Sequence, residues 1–278
     1  MNNHTKPWGK WNILGAELFL FTLVFGLTLV DVRSQELLLP VSTAPVQNTL
    51  FEFLSIFAAA TLLLLVMLRS LKGRRVFGIV FALAIFSGIG SFALHLFGPA
   101  WAIILTSVAI LAYYQEPPVW AFDLILVVGM VGVAANLGTT MAPVTAVILL
   151  AILAIYDIIA VYGTKHMIEM GQKLLQKKVF FAMILTDQLK GYTKRLSFVA
   201  PGKGYYFLGT GDVVLPALLV AAVGVHSVWG AVITSLGALF GLSLTHYLFV
   251  RKSKLRPMPA LPPIALGATL GYIIALYV

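Results

Sequence analysis

The chain has 278 residues, 60% of them hydrophobic and only 10% charged, with a mean hydropathy of +0.97. A soluble domain averages about 25% charged residues, so this chain has too little polar surface to wet a globule of its size and reads as an integral membrane protein. Cysteine is absent, which excludes disulfides, thiolate metal sites and cysteine nucleophiles; the net charge of +9 fits Lys and Arg gathered in cytoplasmic loops better than a nucleic-acid partner.

A helix needs about 20 apolar residues to cross the hydrocarbon core, and nine stretches qualify: roughly 11–30, 50–68, 76–96, 99–115, 119–137, 143–163, 205–225, 227–250 and 260–277. The first follows Lys6 and Lys10 and is longer than a signal-peptide core of about 7–15 residues, so it reads as a helix that stays in place. Gly98-Pro99 and Pro117-Pro118 break what would otherwise be overlong helices. With the N-terminus placed inside and sides alternating, 18 of the 19 basic residues fall on the cytoplasmic side and only Arg33 falls outside. This bias predicts an all-α membrane protein of nine transmembrane helices, with a cytoplasmic N-terminus and an extracytoplasmic C-terminus. The chain divides into an N-terminal six-helix part (1–163), a basic cytoplasmic loop (164–204) and a C-terminal three-helix part (205–278). Within the loop, Lys165 to Lys178 has the mixture of an amphipathic surface helix, and Val179 to Leu185 is apolar but too short to span. Trp101, Tyr113, Tyr114 and Trp120 lie near span ends, as an interfacial aromatic belt would.

Two aspartates sit where nothing obliges a carboxylate to be. Asp157 lies in the sixth span, six residues before its inner end, and Asp212 in the seventh, seven residues after its inner start. At about 1.5 Å per residue both lie roughly 9–10 Å below the cytoplasmic surface. A charge near the bilayer centre costs about 2.5–3.5 kcal/mol on insertion scales, and such residues usually face a bundle interior and do chemistry or transport. Matched depth on consecutive antiparallel helices lets the two carboxylates meet. In contact they share a proton, giving the acid and the base that aspartic proteases use on a water held between them. No metal or other cofactor is needed for that step. Gly209 and Gly211 flank Thr210 just before Asp212, and Pro216 cannot donate to the carbonyl of Asp212 four residues earlier. The backbone around this carboxylate is therefore expected to be loose, as a protease or a broken-helix transporter would need. Prolines at 257, 259, 262 and 263 deny the opening of the last span a regular helix.

Among the other polar residues, Glu17 and Glu52 lie near span ends, Asp123 reads as an interfacial contact, and His95, His226 and His246 have no ligand spacing. Tyr156 precedes Asp157 by one position, so on a helix it points about 100° away and packs beside the cleft.

Together Tyr156-Asp157, Gly209-Thr210-Gly211-Asp212 and Pro259-Ala260-Leu261 resemble the YD, GxGD and PAL motifs of the presenilin / signal peptide peptidase family of intramembrane aspartyl proteases, in order and in the expected spans. The resemblance implies an intramembrane aspartic endopeptidase with Asp157 and Asp212 catalytic. It implies a supporting, substrate-binding role for Tyr156, Gly209, Thr210, Gly211, Pro259, Ala260 and Leu261. Substrates would be transmembrane proteins or peptides in the lipid bilayer of the cell membrane. Eukaryotic members usually carry Leu where Thr210 stands, which bears on side-chain preference rather than chemistry. The short loop between the two aspartates is similar to that of prokaryotic, archaeal members that act without an obligatory partner subunit, and its basic character to the presenilin orientation. The alternatives are a prepilin or preflagellin peptidase, which also uses membrane aspartates with GxGD, and a proton-coupled transporter built on the aspartate pair.

Overall fold

A computed structural model describes residues 7–38, 73–163, 182–186, 188–200, 204–251 and 259–278, together with Phe51, Ser55 and Ala59. Apart from those three residues the predicted second span lies outside the described residues, as do the amphipathic stretch Lys165 to Lys178 and Pro257.

Helices dominate, as the apolar runs require. They are α1 (Pro7–Leu38), α2 (Gly73–Phe97), α3 (Pro99–Tyr114), α4 (Val119–Thr139) and α5 (Pro143–Ile158), the last extended by a π-turn over Ile159–Gly163. Beyond the loop come the single turn α6 (Leu189–Tyr192), then α7 (Thr210–Gly224), α8 (Val228–Arg251) and α9 (Leu261–Ala275). Four described helices have the length and composition to cross a bilayer: Asn12–Glu36, Val119–Thr139, Pro143–Tyr162 and Val228–Leu248. Ala82–Phe97, Pro99–Tyr114, Thr210–Gly224 and Leu261–Ala275 are apolar but shorter. The break between α2 and α3 falls where the sequence places it, at Gly98, whose φ of 87° suits a residue without a Cβ.

The all-α expectation needs one correction. Ala182–Thr186 (β1) and Tyr205–Gly209 (β2) form an antiparallel ribbon, in register Ala182↔Gly209 through Thr186↔Tyr205. The stretch read as the start of the seventh span is therefore a strand, and that helix begins at Thr210. The apolar run near 182 does not sit on the membrane surface; Met183, Ile184 and Leu185 are fully buried against the bundle. Short apolar runs do not distinguish strand from buried helix by periodicity, and the pairing partner lay beyond the 18-residue segment between the strands.

The core is organised around α7. Pro216 to Gly224 are buried without interruption, because α1, α4, α5, α8 and α9 all pack on this helix. A helix apolar all round is stable only when enclosed in this way. Two other contacts are set by glycine. Gly88 of α2 meets Gly129 and Gly132 of α4 backbone to backbone, and Gly237 and Gly241 of α8 meet Gly267 and Pro263 of α9. Where lipid replaces water, helices gain by close packing, and small residues four apart permit it.

Candidate active site

Asp157 lies on the inward face of α5 and is 8% exposed. Its neighbour Tyr156 is 49% exposed, so the 100° step between successive residues separates them as the sequence predicts, and Tyr156 stands on the outer face with Ile152, Ile155 and Ile159. Asp212 occupies the third position of α7, in its first turn. It does not sit mid-helix, as expected from a span starting at 205, because β2 runs up to Gly209. This changes its electrostatics. The first turn of a helix presents unpaired N–H groups and the positive end of the macrodipole, which favour a carboxylate.

Helices α5 and α7 pack on each other, and the Asp157 and Asp212 carboxylates lie close enough to interact electrostatically. The sequence argument for matched depth thus finds both groups in one place. Gly209, the N-cap of α7, lies directly beneath the Asp212 side chain; a Cβ there would stand 3.1 Å from Asp212 Oδ2. A Cβ at Gly211 would meet nothing within 4 Å, so its role is not steric in the same sense. Thr210 is the first residue of the helix. Pro216 lies inside α7, where it has no N–H to offer the carbonyl of Asp212.

The third wall is the start of α9. The Leu261 backbone N–H faces the Asp157 carboxylate, one of the donors that every helix N-terminus leaves without an intrahelical partner. Pro259 and Leu261 are buried and Ala260 partly so. Pro262 and Pro263 do not keep the chain from being helical, contrary to the sequence expectation. They lie in the first turn of α9, where a missing N–H costs nothing. Asp157 Oδ2 is buried with no hydrogen-bond partner among the described residues, a state it shares with Asp31 Oδ2 and Asp123 Oδ2.

Several supporting residues escaped the sequence reading. Thr245 Oγ1 on α8 donates to Gly241 O at 2.9 Å and, over a longer 3.5 Å, to Ala260 O. Together with the Gly241–Pro263 contact, this holds the turn that carries the Leu261 amide. The spacing Gly237-x-x-x-Gly241 and Gly267-x-x-x-Gly271 was the available signal. Asp123 is not the interfacial contact expected from the sequence: it is buried and accepts the Ile184 N–H at 2.9 Å, which anchors β1 to α4. Elsewhere on α1, Asp31 meets His95 and Glu17 meets His246, each at 2.9 Å, linking α1 to α2 and to α8. Among the described residues no cluster of three or more His, Cys, Asp or Glu side chains is placed to hold a metal.

Two carboxylates on adjoining apolar helices, one set on a helix N-terminus and the other facing the amide of a proline-rich turn, form the kind of acidic pair that an acid–base enzyme of the membrane would use. The comparisons agree with that class. The chain matches the model of the family described as signal-peptide peptidase, presenilin aspartyl protease over residues 16–278, and it belongs to that family. Two solved structures described as a presenilin family intramembrane aspartate protease share its fold. The form in space group C222 is 24% identical, covering 95% of this chain and 97% of the other, with a TM-score of 0.64. The form in space group P2 is 25% identical, covering 94% and 96%, with a TM-score of 0.66. No curated protein matches the chain.

Proposed function

We propose that this protein is an active intramembrane aspartic endopeptidase that hydrolyses peptide bonds within transmembrane segments, with Asp157 and Asp212 as its catalytic pair. The observation that carries this reading is that the two carboxylates stand on packed helices α5 and α7, within electrostatic reach of each other and of the Leu261 amide. Two carboxylates this close hold one proton between them more readily than none. The ionised member takes a proton from a water, the resulting hydroxide attacks the peptide carbonyl, and the protonated member hydrogen-bonds the carbonyl oxygen as charge develops on it. Collapse of the tetrahedral intermediate breaks the C–N bond. The proton taken from water passes to the leaving nitrogen, so a carboxylate and an amine are released and the shared proton is restored. The Leu261 N–H steadies Asp157 while its charge changes.

Gly209 keeps the space beside Asp212 clear, and Thr210, Gly211, Pro259 and Ala260 form the backbone bed on which an extended substrate segment lies. Tyr156, on the exposed side of α5, contacts the substrate rather than the reacting atoms. Nine spans in a cell membrane, with N-terminus inside and C-terminus outside, place this centre toward the cytoplasm; the distribution of basic residues supports that arrangement. Partner subunits are not required. Family membership weighs against the prepilin-peptidase and transporter readings.

The test is direct. Purified protein in detergent is expected to cut a test transmembrane peptide within its apolar segment. A hydroxyl-bearing analogue of the tetrahedral intermediate should block it. The rate should follow a bell-shaped pH profile, because the active form holds one proton on the pair and activity is lost when a second proton is gained or that one is lost. Failure to cut any transmembrane peptide, with pH-gradient-driven uptake in its place, would favour the transporter.

A further inference from the structure

On the side of the bundle where α1 and α4 begin, the two helices run in the same direction and leave a groove between them of about 640 Å³. Its walls are apolar. Gly15, Phe19 and Leu23 come from successive turns of α1, and Leu124 and Val127 from α4. From Asn12 at the mouth to Leu23 at the floor is eleven residues of α1, roughly 16 Å of helix. That is about half the 30 Å hydrocarbon core, so the groove runs through a single leaflet. A helix about 10 Å across fills roughly 1,300 Å³ over this length, twice the space present, so the groove suits a thinner occupant.

The mouth has a different chemistry. Trp120 is 54% exposed there, at the level where interfacial tryptophans sit. The segment 188–196 forms the rim. Leu189 and Tyr192 face the groove, and Lys190 between them is exposed. Lys194 O accepts the Val119 N–H at 3.0 Å and Arg195 pairs with Pro118, which fixes two more exposed cations at the first turn of α4. None of the three makes an ion pair with a described residue. Asp123 also borders the groove, but it is 4% exposed and turned to the Ile184 amide.

We propose that this groove binds one acyl chain of an anionic phospholipid, whose phosphate rests against Lys190, Lys194 and Arg195. An apolar slot one leaflet deep, bordered at its wet end by cations that make no ion pair among the described residues, complements that amphiphile in both shape and charge; basic residues near a membrane surface each strengthen binding of anionic lipid by severalfold.

Native mass spectrometry of the purified full chain, titrated with phosphatidylglycerol or phosphatidylcholine, tests this. Wild type should retain phosphatidylglycerol at least about fivefold better, the contribution of a single basic side chain near the surface. Lys190→Gln, Lys194→Gln and Arg195→Gln combined, all at exposed positions, should erase the preference while leaving weak binding of both lipids. Gly15→Leu should remove retention of both, since a Cβ there meets nothing within 4 Å and the side chain fills the slot without disturbing the fold. Equal retention of the two lipids by wild type would overturn the proposal. So would wild-type retention by Gly15→Leu, which would leave only a surface patch. A photoreactive residue at Phe19 that captures a transmembrane peptide in place of lipid would assign the groove to substrate and also overturn it.

Discussion

Asp157 and Asp212 differ in surroundings, and the difference sets what each substitution does. Asp157 faces an amide from another helix, whereas Asp212 lies on the N-terminus of its own helix. Asp212→Asn keeps the shape and much of the interaction with the helix N-terminus, so the fold should persist while turnover falls on the order of 10²–10⁴-fold. Gly209→Ala places a methyl 3.1 Å from Asp212 Oδ2, tighter than ordinary contact. It should lower kcat more than KM, since the carboxylate is displaced and the substrate bed is left in place. Asp123 is the contrasting case. Asp123→Ala leaves the buried Ile184 N–H without its acceptor, at a cost of about 1–3 kcal/mol, measurable as a lower midpoint in thermal unfolding. Asp123→Asn retains an oxygen for that N–H and should unfold near wild type. Equal losses in the two variants would show that the charge, rather than the acceptor, matters there. At this scale the sequence was informative because carboxylates in apolar runs are costly. It said less about Asp31 and Glu17. Their partners His95 and His246 lie 64 and 229 residues away, and no local pattern joins them.

At the scale of elements, the dyad depends on three pieces of chain arriving together: the inner end of α5, the β2–α7 junction and the start of α9. The first and third were legible in the sequence, since the apolar run and the prolines mark them. The second was not. Tyr205 to Gly209 continues the apolar character of α7, and only its pairing with β1 makes it a strand. The glycine seam between α8 and α9 controls the third piece. A Cβ on Gly241 would run into the Pro263 carbonyl, two residues from the amide that faces Asp157. Gly241→Val should therefore part the helices, costing about 1–3 kcal/mol by overpacking, and should reduce activity beyond its effect on stability. Thr245→Val removes one hydroxyl contact to the same turn without changing volume appreciably, and should reduce activity with a smaller shift in unfolding. Intact turnover in a folded Gly241→Val protein would separate the seam from the site.

For the whole molecule, the family places the fold, and the direction proposed for it in the membrane rests on the arrangement of basic residues. If the loop between the aspartates is cytoplasmic, the dyad meets a substrate backbone running one way only. Helices inserted with their N-terminus outside should be cut in preference to the same helices inverted, when both are presented to enzyme of known orientation in vesicles. Equal cleavage of the two would reject the orientation, leaving the chemistry intact. The enclosure of α7 by five neighbours explains how so short a helix can hold the proposed catalytic Asp212 in place: packing, rather than length, fixes it. The central claim is that both carboxylates act in one step. Its most direct measurement is cleavage of a test transmembrane peptide by folded, purified Asp157→Ala and Asp212→Ala proteins, alongside wild type, read by mass spectrometry of the products. Loss of cleavage in each variant alone, with unchanged helix content, is the predicted result; cleavage at the wild-type rate by either one would contradict a two-aspartate mechanism.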